Sequence, residues 1–127
     1  NEILYNSALY KMKHGGSEDA FYAAAQNFEK LKGYKDSASL KQECEILAKE
    51  SIYKHGLNMM KVGYNDSTYL DASKIFKKIS GYKEADKLYN ECIRLAEKER
   101  RKSKERPIVV IGIIGIIIIL ILLLSLK

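Results

Sequence analysis

The chain has 127 residues, two cysteines and a formal net charge of +6 at pH 7. Two cysteines exclude a disulfide framework, and free thiols agree with a reducing compartment. The isoelectric point of about 9.2 suggests a nucleic-acid-binding protein, but the charge is unevenly distributed. Residues 1–93 carry 14 basic and 13 acidic side chains, whereas residues 94–106 carry 7 and 3. We therefore expect no nucleic-acid partner. The roughly 105 residues before Pro107 suffice for one small domain.

An internal repeat with an offset of 48 residues organises this domain and aligns without a gap. Repeats of this length are typical of stacked supersecondary units. We therefore predict a repeat domain over residues 1–98, with units at about 4–50 and 52–98. The identical pairs include Tyr5 and Tyr53, Phe28 and Phe76, Gly33 and Gly81, Tyr34 and Tyr82, and Cys44 and Cys92.

The apolar residues have the i, i+3, i+4, i+7 spacing of a helix face, and no stretch alternates with the period of a strand. In the first unit this face includes Phe21, Ala24, Phe28 and Leu31. The predicted fold class is therefore all-α. In chain order we expect helices at residues 2–14, 18–31, 36–62, 67–79 and 83–105, then a separate membrane helix after Pro107.

Glycines mark the predicted helix ends. Gly33 and Gly81 fit the position after a helix where the backbone is left-handed and a Cβ is costly. Tyr34 and Tyr82 follow them and are expected to pack back on the phenylalanine of the preceding helix. A second glycine pair is interpreted in the same way, and polar residues are the expected N-caps. The glycines are Gly15 and Gly63, and the caps are Ser17, Asp36 and either Asp66 or Ser67.

Two strings resemble tetratricopeptide-like helical repeats, in a variant common in membrane-anchored bacterial proteins. They are Phe28-x-x-Leu31-x-Gly33-Tyr34-Lys35-Asp36-Ser37 and Phe76-x-x-Ile79-x-Gly81-Tyr82-Lys83-Glu84-Ala85. The resemblance covers about residues 4–98 and implies a stack of helical hairpins that serves as a protein-interaction scaffold. It brings no catalytic residues, so we expect neither an enzyme nor a cofactor. The period is longer than the ~34 residues of the standard family, and no proline ends the second helix.

The end of the chain has a different composition. Residues 108–126 contain no charged side chain and consist almost entirely of Ile, Leu, Val and Gly. A helix of about 20 residues spans the ~30 Å hydrocarbon core of a bilayer. We therefore predict a transmembrane helix at residues 107–127 that contacts lipid through residues 108–126. A cleaved signal would lie at the N-terminus, so the segment is expected to be a tail anchor.

The predicted juxtamembrane segment, residues 99–106, is basic. Such residues favour the cytoplasmic side and attract anionic lipid headgroups, at about 1 kcal/mol per residue. Only Lys127 follows the span, so we expect a single-pass protein with a cytoplasmic N-terminal domain and its C-terminus on the opposite side. The basic side chains are Arg100, Arg101, Lys102, Lys104 and Arg106.

The two cysteines are the side chains of this sequence with the greatest capacity to bind a metal or take part in redox chemistry. They could form a metal or redox pair, but Cys44 and Cys92 occupy equivalent repeat positions, which favours two similar packing sites. His14 and His55 do not align with the repeat and form no ligand spacing with the cysteines. We therefore expect no metal site.

The predicted function is a scaffold that binds a protein partner at the membrane. Positions shared by the two units should be occupied with packing, so the binding surface is expected where the units differ. The alternative is a structural or regulatory subunit that assembles with a membrane complex through its span. Gly112 and Gly115 are three residues apart rather than the four of the GxxxG motif. The candidate partner-binding residues are Tyr22, Asn27, Tyr64, Asp71 and Lys74.

Overall fold

The computed structural model describes residues 1–126, in which every regular element is an α-helix. This confirms the all-α class. The first four helices begin and end within one residue of their predicted bounds. Lys127 lies outside the described residues, so the charge asymmetry across the span stays a prediction. The helices are α1 (Glu2–His14), α2 (Glu18–Lys30), α3 (Ser37–Val62), α4 (Asp66–Lys78) and α5 (Ala85–Ser125).

Side-chain caps begin the two short helices α2 and α4. The Ser17 hydroxyl accepts the Ala20 N–H at 3.3 Å, as predicted. In α4 the cap is Asn65, whose side-chain oxygen accepts the Thr68 N–H at 2.8 Å, so the predicted cap at position 66 or 67 is wrong. Asn65 fits because it keeps the extended backbone of a cap, while position 66 already belongs to the helix. Asp36 is at the N-cap position of α3, as predicted, but its side chain makes no capping hydrogen bond. Its carboxylate instead accepts the Tyr5 hydroxyl at 2.5 Å.

The apolar helix faces meet in two core clusters. The first joins α1, α2 and the start of α3, and the second joins the end of α3, α4 and the start of α5. Small residues let these helices approach closely, because Ala24 and Ala72 are fully buried on the inner faces of α2 and α4. Phe28 and Phe76 are the largest fully buried side chains. Burial of these faces is the main force that holds the short helices in place.

The contacts of the first cluster recur 48 residues later. The rings of Tyr5 and Phe28 meet edge to face with centroids 5.9 Å apart, and those of Tyr53 and Phe76 do so at 6.0 Å. A tyrosine after each glycine turn completes both groups, at 5.7 Å from Tyr5 and 6.1 Å from Tyr53. Tyr34 and Tyr82 also pack against the core clusters that contain Phe28 and Phe76. A direct contact of each turn tyrosine with its phenylalanine stays a prediction.

The turns after α2 and α4 have left-handed glycines, as predicted. The φ angle is +77° at Gly33 and +83° at Gly81. α2 ends earlier than expected, with Leu31 as its cap, so the glycine comes two residues after the cap rather than one. Two non-glycine residues are also left-handed, Lys35 at +48° and Lys83 at +46°. Each turn therefore reverses direction through two left-handed residues.

Gly15 and Gly63 have a different role from the predicted one. Their φ angles are −68° and −59°, which any residue adopts. At both positions a neighbouring side chain leaves no room for a Cβ. A Cβ on Gly15 would lie 2.2 Å from the Ala20 Cβ, and one on Gly63 would lie 2.6 Å from the Tyr69 ring. The left-handed residue after α1 is Gly16, with φ of +62°.

The expected helix break at Pro107 is wrong. α5 continues through Pro107 from Ala85 to Ser125 as one helix of 41 residues. A proline inside a helix removes one hydrogen bond, here the bond to the Ser103 carbonyl. This part of α5 is exposed, so the freed carbonyl faces solvent rather than a buried core. The predicted domain boundaries at 98/99 and 106/107 therefore both lie inside one helix.

Candidate membrane and docking sites

The apolar half of α5 is exposed around its whole circumference. From Ile108 to Leu126 the large apolar side chains are between 50% and 83% exposed. The 18 helical residues from Ile108 to Ser125 span ~27 Å, close to the thickness of a hydrocarbon core. In length and composition this helix is sufficient to cross a membrane. A helix that lies flat on a membrane needs a polar face, which this segment does not have.

Arg100 differs from the other predicted juxtamembrane cations. Its guanidinium lies 3.6 Å from the carboxylate of Asp66, at the start of α4. The negative charge of Asp66 is favourable there, because the helix N-terminus is the positive end of the helix dipole. Arg100 therefore ties α5 to α4.

The remaining four cations lie on two faces of the helix, and we call them the basic collar. Residues three or four apart share a helix face, so positions 101 and 104 lie on one side and positions 102 and 106 on another. All four side chains are exposed. Lys102 is paired with Glu99 at 3.0 Å. The collar lies within two turns of the first apolar residue of the span and consists of Arg101, Lys102, Lys104 and Arg106.

An open groove of about 390 Å³ lies between α2 and α3. Tyr22, which is 37% exposed, borders the groove together with Gln26. An ion pair of 2.6 Å between Lys41 and Glu29 closes one side. The groove is mostly apolar with charged groups at its edge, which is the usual make-up of a ligand pocket.

The five candidate partner-binding residues lie on three elements. Tyr22 and Asn27 are on α2, Tyr64 is in the connection before α4, and Asp71 and Lys74 are on α4. Of the five, Tyr22 alone borders the groove. Tyr64 is 77% exposed, and Lys74 is paired with Asp71 at 3.5 Å. The structure therefore offers one groove residue, one exposed aromatic residue and one surface ion pair, and their role in binding stays a prediction.

Two clusters of polar groups, which we call the first and second clamps, join the turn after α2 to α1 and the turn after α4 to α3. In the second clamp the Glu50 carboxylate accepts the Tyr82 hydroxyl at 2.8 Å and the Lys83 ammonium at 2.5 Å. The Lys83 nitrogen also lies 5.2 Å from the centre of the Tyr53 ring, within range of a cation–π interaction. The first clamp has the same contacts among Glu2, Tyr34, Lys35 and Tyr5.

The clamps shift the acidity of their members. Hydrogen bonds from Lys83 and Tyr82 hold the pKa of Glu50 below its usual value of 4.5. The same bonds raise the pKa values of Lys83 and Tyr82. A charged hydrogen-bonded cluster that favours its native protonation states fixes the turn geometry rather than supplying a reactive group.

Sequence reasoning did not find the clamps, although it singled out Tyr34 and Tyr82. The acidic partners were the missing element, because Glu2 and Glu50 lie 32 residues before the tyrosines they bind. A signal was present, since these two glutamates are themselves 48 residues apart. The backbone strain at the two lysines had no sequence signal.

The cysteines are packing residues, as expected. Cys44 and Cys92 are fully buried in equivalent places. Burial raises the pKa of each thiol to about 11, so both are protonated at neutral pH. The thiolate is the nucleophilic form, and its scarcity makes these cysteines inert.

Residues 1–126 thus contain an exposed apolar helix segment, a basic collar, a groove and two clamps. No protein family, curated protein or solved structure matches the chain.

Proposed function

We propose that this protein is a membrane-anchored helical-repeat scaffold that binds a protein partner on the cytoplasmic face. The observation that carries the proposal is α5, one helix whose first part is packed in the second core and whose last part is an exposed apolar rod. Water does not stabilise such a rod, and lipid does. The packed helices before it are then held at a membrane surface.

The recurrence of contacts supports the assignment to tetratricopeptide-like repeats. A buried phenylalanine, an edge-on tyrosine, a left-handed glycine and a clamp each occur twice at an offset of 48 residues. Repeats of this kind stack helical pairs and present extended surfaces to partners. In such a stack the shared positions are used for packing, which leaves the differing positions for recognition.

The groove between α2 and α3 is the best candidate for that surface. Tyr22 has no counterpart in the second unit, where the equivalent residue is Leu70. Tyrosine is enriched among residues that dominate binding energy. Burial raises the pKa of the Tyr22 hydroxyl, and the nearby Glu18 and Glu45 carboxylates add to this effect, so it remains a hydrogen-bond donor at neutral pH.

The basic collar supports the proposed sidedness. Positive residues next to a span are retained on the cytoplasmic side. The collar lies between the packed helices and the span, so the packed helices are then cytoplasmic.

Partner capture by the full chain, compared with a chain that ends at Arg106, tests the proposal. Alkaline extraction should leave the full chain in the membrane and release the truncated chain, because the apolar rod is what requires lipid. Both chains should capture the same protein from the cytoplasm. Tyr22→Ala should weaken capture, whereas Tyr10→Ala, an exposed tyrosine on α1, is the matched control.

The alternative is a subunit that assembles with other membrane proteins through its span. The two glycines of the apolar segment, Gly112 and Gly115, favour it, because a helix with small residues lets a neighbouring helix approach closely. If capture is lost on truncation and depends on these glycines, the scaffold proposal is wrong and the subunit takes its place.

A further inference from the structure

Two helix segments present the same face to the helix that follows them. In α1, Tyr5 and Ala8 pack against the buried phenylalanine cluster of α2. At the same positions 48 residues later, Tyr53 and Gly56 in α3 pack against the phenylalanine of α4. These positions, an aromatic residue followed three residues later by a very small one, are the ones that accept the next helix pair.

The third occurrence of this face is on α5, where charged residues replace the aromatic and small residues. Another 48 residues along, the equivalent residues are Arg101 and Lys104. Both are exposed, and within residues 1–126 the collar's ion pairs do not include either of them. An aromatic ring and a small residue are thus replaced by two long cations. This face cannot accept a third helix pair through the same apolar contacts.

The same face continues into the span. Arg101, Lys104 and Ile108 are separated by three and four residues, which places them on one side of the helix. Lys104 lies ~6 Å from Ile108 along the axis, and Arg101 lies ~10 Å away. The headgroup layer adds roughly 5–8 Å to each side of the hydrocarbon core. Lys104 is therefore at headgroup depth, and the Arg101 guanidinium is at its outer edge.

We propose that the α5 face of Arg101 and Lys104 binds the phosphate groups of anionic phospholipids, which take the place that a third helix pair would occupy. The inference rests on the proposed membrane anchoring and adds a specific lipid partner and a specific face to it. Two unpaired cations one turn apart match a phosphate in charge and spacing. Arg106 lies on the other side of the helix and does not belong to this face.

Lipid selectivity of the full chain tests the proposal. The protein is reconstituted in phosphatidylcholine vesicles with a trace of spin-labelled phosphatidylglycerol or spin-labelled phosphatidylcholine, and the fraction of motionally restricted label is measured. We expect the native chain to prefer phosphatidylglycerol by roughly twofold or more, and R101Q/K104Q to abolish the preference. The matched control is K11Q/K13Q, which removes two exposed cations from α1 and should retain the native preference.

Each outcome decides the question. An unchanged preference in R101Q/K104Q overturns the proposal. A loss of equal size in R106Q also overturns it, because a general charge effect would then replace a specific face. Alkaline extraction separates this inference from the anchor. A chain that stays in the membrane without lipid preference contradicts only the lipid site, whereas a chain that washes off contradicts the anchor.

Discussion

Gly56 and Phe76 are in contact across the second core. A Cβ added to Gly56 would lie 2.8 Å from both Cε1 and Cζ of the phenylalanine ring. The equivalent position of the first core is Ala8, which is fully buried with its methyl group. At this point α4 approaches α3 too closely for the side chain that the first core accommodates.

Gly56→Ala should therefore destabilise the protein, although alanine is the better helix former. The gain in helix propensity is about 1 kcal/mol, and overpacking of a core costs about 1–3 kcal/mol. Thermal unfolding of the full chain in detergent micelles, followed by circular dichroism, measures the difference. Asn58→Ala, an exposed change in the same helix, is the control and should leave the melting temperature unchanged or higher. A higher melting temperature for Gly56→Ala would contradict this account and show that the Phe76 ring can move to make room for the methyl group.

Ser37 should be a site where loss of a hydroxyl stabilises the fold. Its Oγ is fully buried and has no hydrogen-bond partner within residues 1–126. A buried unsatisfied polar group costs about 1–3 kcal/mol. Ser37→Ala should raise the free energy of unfolding by about 1 kcal/mol. The equivalent residue is Ala85, also fully buried, and the reciprocal Ala85→Ser should lower it. Shifts of the same sign in both variants would contradict this account.

The second clamp should make the stability of the fold depend on pH. A carboxyl group whose pKa is lowered by folding stabilises the native state above its unfolded value, here 4.5. That contribution is lost as the pH falls through the lower pKa of the folded state. Glu50→Gln should therefore lower the melting temperature at neutral pH and have little effect in acid below the lowered pKa of the folded state, where the native carboxyl is also protonated.

The control for this prediction is Glu43→Gln, which changes an exposed glutamate on the same helix. It should show no such convergence. If Glu50→Gln lowered the melting temperature equally at neutral and acid pH, the clamp would stabilise the fold through packing rather than through the charge of Glu50. On the alkaline side, the raised pKa values of Lys83 and Tyr82 mean that the contribution is lost as the pH rises above their usual values of 10.5 and 10.0.

Gly33→Val should destabilise the turn through the backbone alone. The φ angle there is +77°, and no atom lies within 4 Å of an added Cβ. A β-branched residue in left-handed conformation costs more than ~1 kcal/mol. Lys32→Val is the control, because that side chain is 82% exposed and its backbone is not left-handed. Equal melting temperatures for the two variants would contradict the turn geometry.

The sequence predicted those features that depend on local spacing. The faces of α2 and α4 follow from the intervals between Ala24 and Phe28 and between Ala72 and Phe76, because helix periodicity is a local property. The left-handed backbone of Gly33 was predictable for the same reason. The path of α5 through Pro107 was not, because the cost of a proline depends on whether the carbonyl it frees is exposed.

Contacts between distant segments were beyond such reasoning. Lys35 is left-handed, and its ammonium contacts Glu2, 33 residues earlier, and the Tyr5 ring. No local rule places a lysine in that conformation. Gly63 was misinterpreted for a similar reason, since the Tyr69 ring that excludes its Cβ comes from the next helix. The site residues of the groove are likewise set by the distance between α2 and α3.

The continuity of α5 has a mechanical consequence. Between Ala96, the last residue buried in the core, and Ile108 lie twelve helical steps, or ~18 Å. A flexible tether of twelve residues would have an r.m.s. length of similar size but would let the domain tumble. A helix instead keeps a fixed length, so the packed helices and the apolar segment rotate together as one body. If α5 crosses a bilayer as proposed, a rotation of α5 by about 100°, the angle between successive helix residues, turns the groove by the same angle around the membrane normal. Under that proposal, the way in which the bilayer holds α5 sets the direction from which a partner reaches the groove.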